Sequence, residues 1–125
     1  MARILHKVLS DSVLGAVFKV HNYLGPGLLE SAYEGAMVIE LKKRRLDVQR
    51  QVVYPLFYEG EMAGAYVADL VVEGKMILEL KSVKELNANM EAQLLNYLRL
   101  SKVSLGYLIN FRNARVEWKR RVISF

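Results

Sequence analysis

Residues 65–83 read AYVADLVVEGKMILELKSV, and the fold turns on this stretch. Residues 65–72 and 76–83 are rich in Val, Ile, Leu and Tyr, and the Glu73-Gly74 pair between them supplies a glycine that tolerates positive φ, so the stretch predicts a β-hairpin. Side chains alternate faces along a strand, which puts Glu79 and Lys81 on one face and Leu78 and Leu80 on the other. Asp69 stands among Val67, Leu70 and Val71, where a carboxylate is costly unless it is paired or binds a metal. Whether Asp69 joins Glu79 depends on the turn. A three-residue loop over 72–74 sets the two acids diagonally, with Cβ atoms ~7 Å apart, and a loop over 73–75 sets them directly opposite at ~5 Å. A two-residue turn without a bulge sends them to opposite faces.

Working outward, residues 9–23 place Val13, Val17, Val20 and Leu24 at helical spacing behind Ser10-Asp11-Ser12, good N-cap residues. Gly25-Pro26-Gly27 stops this helix, because proline cannot continue it and glycine accepts turn angles. A second helix over 28–45 buries Leu29, Ala32, Tyr33, Ala36, Met37 and Leu41. Its end, Lys42 to Arg45, suits the helix dipole as a solvated terminus or faces a polyanion. Residues 48–58 read as a strand in which Pro55 argues for an edge position or a bulge, turned by Glu59-Gly60-Glu61. Beyond the central hairpin, Asn87 caps a helix over 88–101 that faces inward with Met90, Leu94, Tyr97 and Leu98. Residues 104–110 form a buried strand and 115–125 alternate as a last one. The order α-α-β-β-β-α-β-β is that of an α/β fold, a mixed sheet of about five strands flanked by helices.

The composition sets bounds on this reading. A chain of 125 residues with 53% apolar and 25% charged content predicts a single domain, 1–125, with a real core. There is no cysteine, which removes disulfides and thiolate chemistry and leaves oxygen ligands, or His6 and His21, for any metal. The start, MARILHKVL, lacks the apolar run of a leader, and no stretch reaches the ~18 apolar residues of a membrane span, so a cytoplasmic protein without membrane contact is expected. A formal charge of +5 favours a polyanionic partner such as nucleic acid.

Two carboxylates, Asp69 and Glu79, with the backbone carbonyl of Leu80, make a hard oxygen site suited to Mg²⁺ or Mn²⁺. An ammonium beside it, Lys81, could orient an attacking water and offset charge on a phosphate. The bland reading of the same residues is an exposed sheet face with a weak Glu79–Lys81 ion pair.

Asp69 followed by Glu79-Leu80-Lys81 resembles the D…E-x-K signature of the PD-(D/E)xK nuclease superfamily, and Gln93 to Tyr97 matches the Q-x-x-x-Y of many members. Gly27-Leu28-Leu29-Glu30-Ser31-Ala32-Tyr33 spells G-x-x-E-x-x-Y, the signature of the small bacterial and archaeal GxxExxY family within that superfamily. The resemblance implies a restriction-endonuclease-like core acting on nucleic acid. Asp69, Glu79 and the Leu80 carbonyl would hold the metal, Lys81 would position water, and Glu30 would add an acid from the second helix. Gln93 and Tyr97, one turn apart, would face the site and could touch phosphate or the metal's waters. Three positions depart from the family pattern: Val67 where arginine is common, Arg45 where a helix-ending glycine is usual, and Arg112 in place of a glycine. Tyr33 reads as core, His21 as a packed helical histidine, and Gln93 as an amide on a core-facing stripe that calls for a partner. Two functions follow: a metal-dependent nuclease, or a binding module for nucleic acid or protein that keeps the nuclease fold. A second copy or a protein partner stays open.

Overall fold

The computed structural model describes residues 5–125; the first four residues, part of the start read above as no leader, lie outside it. Helices α1 (Lys7–Leu24) and α2 (Glu30–Lys43) precede β1 (Val48–Tyr58), β2 (Glu61–Val72) and β3 (Met76–Lys81); α3 (Ala88–Ser101) then leads to β4 (Leu105–Asn110) and β5 (Glu117–Val122). The strands form one sheet in the order β1-β2-β3-β4-β5, parallel only between β3 and β4, with α3 as the crossover. This is the expected mixed five-stranded α/β fold. No helix of the described residues is long and apolar enough to cross a membrane.

Two apolar layers sandwich the sheet. Val13, Val17 and Val20 of α1 and Tyr33, Met37 and Leu41 of α2 pack on Leu70, Val72, Met76, Leu78, Leu80, Tyr107 and Ile109. Leu94 and Leu98 of α3 pack on Val71, Ile77 and Leu108 from the other side. Strands β3 and β4, covered on both faces, are therefore apolar runs interrupted at Glu79 and Lys81 in β3 and at Gly106 and Asn110 in β4. Phe111 stacks on Tyr33 at 4.4 Å between ring centroids, joining the end of β4 to α2.

Two local expectations meet a different outcome, and one concerning Pro55 is met. Helix α1 begins at Lys7, one turn before Ser10-Asp11-Ser12, and Ser10 lies buried inside it. The stripe of Leu9, Val13, Val17 and Val20 extends backwards to the sheet, and that burial outweighs the capping preference of the serines. Arg44, expected in a solvated or polyanion-facing run, instead donates to Glu40 at 3.0 Å and to the carbonyl of Ser12 at 3.1 Å, tying α2 to α1. Pro55 stands on β1, an edge strand, as its missing N–H requires.

Candidate active site

The turn after β2 decides whether the acids meet. Val72 pairs with Met76, Val71 with Ile77 and Leu70 with Leu78, so the loop is residues 73–75. Glu73 and Gly74 both take positive φ, 56° and 63°, and the N–H of Lys75 donates to the Val72 carbonyl at 3.0 Å. This is the odd loop length that carries Asp69 to a position directly opposite Glu79. The strand ladder stops one pair short of them and the carboxylates take over its donors. Asp69 Oδ2 accepts from the Leu80 N–H at 2.8 Å, and Glu79 Oε1 accepts from the Asp69 N–H at 3.4 Å.

Strand β3 places Glu79 and Lys81 in phase with Ile77, on the α3 side of the sheet. Glu79 is 7% exposed. Burial, and then the negative charge of Asp69, push its carboxyl up to about 8, while the hydroxyl of Tyr66 and the charge of Lys81 pull the other way. Burial likewise raises Asp69, with the charge of Glu34 adding to it and the Leu80 N–H and Lys81 opposing it. Two carboxylates thus face one another in a poorly hydrated place, within reach of the charge of Lys81, an arrangement that favours a cation between them.

Does this donor set fit a divalent metal? Among the described residues no three His, Cys, Asp or Glu side chains converge on one point. Two carboxylates with the Leu80 carbonyl suffice for Mg²⁺ or Mn²⁺, which keep several waters and seldom take an all-protein cage. Burial raises both carboxyls, and the charge of Asp69 adds to the rise at Glu79 and that of Glu34 to the rise at Asp69; a divalent ion between them would offset both, so the residues fit.

The other expected members divide. Glu30 opens α2, and its Oε1 accepts from the Ser82 N–H at 3.3 Å, so it stands at the end of β3 just past Lys81. Tyr97 is half-buried on α3 and stacks on Tyr66; its phenol is pushed up by burial and then by the charges of Glu79 and Asp69, so it borders the site. Gln93 is exposed, against the expectation of a buried and partnered amide, because the inward stripe of α3 runs through Leu94 and Leu98 and leaves the preceding residue on the rim. His21 is buried with Nε2 donating to the Asn113 carbonyl at 2.8 Å, a packed residue that anchors the β4–β5 connection. Tyr33 is core: its hydroxyl donates to the Gly25 carbonyl and accepts from the Leu28 N–H, closing the glycine turn before α2.

Three residues that the sequence did not single out join this group. Tyr66 donates to Glu79 Oε1. Glu34, one turn beyond Glu30, is held by Arg50 at 2.9 Å and by Gln51 at 2.7 Å, and its charge acts on Asp69. Gln51 also opposes the rise of the Asp69 carboxyl. Glu34 was findable, since it follows Glu30 by four on one helix face; nothing local pointed to Tyr66 or Gln51.

Comparison with known proteins agrees with this fold. The crystal structure of SSO0001 is similar in fold, with a TM-score of 0.55 at 17% identity, covering 94% of this chain and 62% of the SSO0001 chain, so the present chain spans less than two thirds of that protein. No curated protein matches the sequence. The family model of the PD-(D/E)XK nuclease superfamily matches residues 7–121, which include the hairpin with its two acids and lysine and the helix that borders them. The chain belongs to the PD-(D/E)XK nuclease superfamily.

Proposed function

We propose that this protein is a metal-dependent phosphodiester hydrolase acting on DNA or RNA, a single-domain nuclease of the GxxExxY type. The observation that carries the reading is the register of the central hairpin, which sets Asp69 against Glu79 with Lys81 acting on both. The G-x-x-E-x-x-Y run from Gly27 to Tyr33 supports the narrower family assignment, and the cytoplasmic location expected from the sequence accords with a nucleic-acid substrate. Asp69, Glu79 and the Leu80 carbonyl would hold Mg²⁺ or Mn²⁺. A divalent ion there supplies Lewis acidity at the scissile phosphate and lowers the pKa of water.

The chain's own residues do the rest. Burial of Glu79 excludes bulk water and strengthens every charge interaction at the site. Lys81 orients the attacking water and offsets charge growing on the phosphate, and Glu30 at the end of β3 bounds the approach to it. The test is cleavage of a panel of single- and double-stranded DNA and RNA with Mg²⁺ or Mn²⁺. The wild type should cut at least one of them only with metal. Lys81→Ala should cut about a hundredfold more slowly or worse and still bind the same substrate, since one phosphate contact is a fraction of the total. Equal cutting by Lys81→Ala sinks the assignment of that lysine. Binding by the wild type without cleavage of any substrate replaces the enzyme with a nucleic-acid-binding module.

A further inference from the structure

Tyr66 and the rings of Tyr54 and Tyr97 stacked on it have no place in the two-acid, one-lysine chemistry, yet the Tyr66 hydroxyl ends on it. Tyr54 and Tyr66 are direct partners across β1 and β2, their ring centroids 6.1 Å apart, and Tyr97 of α3 lies on the other side of Tyr66 in a parallel stack. Tyr66 is 7% exposed, so its ring is held between a strand and a helix, and its hydroxyl meets Oε1 of Glu79. A glutamate has several rotatable bonds and loses rotamer freedom when it binds an ion. A ligating carboxylate whose second oxygen is already bonded has less left to lose, and such supporting partners set its orientation.

We infer that Tyr66 is a positioning residue, which holds one oxygen of Glu79 and leaves the other for a divalent cation, and that Tyr97 acts through the ring of Tyr66 and not on the substrate. This reassigns the tyrosine of the Q-x-x-x-Y match from a phosphate contact to a support for a ligand. The inference rests on the metal-dependent reading above.

Calorimetric titration of the full chain with Mn²⁺, in the absence of nucleic acid, separates the two. Wild type should bind at a site that Asp69→Asn removes. Tyr66→Phe keeps the ring and loses the hydroxyl, and it should weaken Mn²⁺ binding about tenfold or more with its circular dichroism unchanged. Tyr97→Ala should weaken binding severalfold, and Tyr97→Phe, which preserves the stack, should restore it. Wild-type affinity in Tyr66→Phe overturns the inference while the metal site stands. A loss in Tyr97→Phe equal to that in Tyr97→Ala overturns the relay, because the Tyr97 hydroxyl then acts directly. Should Tyr66→Phe fail to fold, the Tyr97 pair decides alone. Wild type that binds no Mn²⁺, or binds it equally as Asp69→Asn, removes the metal-dependent reading itself and the inference with it.

Discussion

Glu79 carries the sharpest physical consequence of any single residue. Its carboxyl titrates near 4.5 in an unfolded chain and near 8 in the native protein, chiefly because burial disfavours the charged form and then because Asp69 repels it. Between those values the native state holds a proton that the unfolded state has lost, so this group favours the native state most at low pH and progressively less as pH rises towards 8. In a chelator, the melting temperature should therefore fall between about pH 5 and pH 8. Glu79→Gln removes the titration, and its melting curve should be flatter over that range and lie above the wild type at pH 8. Parallel curves would show that the raised carboxyl of Glu79 does not reach the folded state's stability. Tyr66 escapes such titration, since burial and the neighbouring carboxylates push its phenol far above its ordinary value and keep it a donor.

Among the elements, the ends of helices and the seat of α3 are where single changes speak most clearly. Helix α2 closes with the Leu46 N–H on the Leu41 carbonyl, which requires the left-handed residue between, and that residue is Arg45 at φ 61°. A side chain there costs about 1 kcal/mol relative to glycine, so Arg45→Gly should raise the melting temperature by a few degrees. The measurement is a thermal melt. A fall would mean that the exposed arginine makes a compensating contact. Strand β4 accepts α3 through Gly106, where an added Cβ would meet Leu94 at 2.9 Å and Leu98 at 3.1 Å. Gly106→Val should overpack this contact and cost about 1–3 kcal/mol in urea unfolding. It should also blunt metal binding by displacing Tyr97 from Tyr66.

Taken as a whole molecule, the protein is two helical layers closed on a sheet whose carboxylates repel, so ion binding and stability are coupled. Mn²⁺ at about a hundred times its dissociation constant should stabilise the wild type by about 2.7 kcal/mol through mass action. Differential scanning fluorimetry reads this as a rise in melting temperature that Asp69→Asn should abolish for the most part. An equal rise in both proteins would place the ion elsewhere on the surface. The effect should grow from pH 6 to pH 8, since the ligands must be deprotonated to bind.

Local pattern alone determined a good deal of this molecule. The alternation in residues 76–81 placed Glu79 and Lys81 on one face, Asn87 marked the start of α3, and the choice of turn narrowed to a few loops, one of which the structure adopts. Such features follow from the backbone's own periods and from turn chemistry, which act over a few residues. Tertiary structure decided what surrounds the two acids. Tyr66 and Ala68 belong to the layer under α3, whereas Leu70 and Val72, of the same parity, belong to the layer under α1 and α2. The change of face falls at Asp69 and at its neighbour Gln51, whose φ is 49°. Strict alternation therefore sends Tyr66 to the wrong side, and only the packed sheet brings its hydroxyl to Glu79. The approach of Glu34 to Asp69 and the exposure of Gln93 depend in the same way on how α2 and α3 dock. Docking is set by the fit of side chains far apart in the chain, and no local period encodes it.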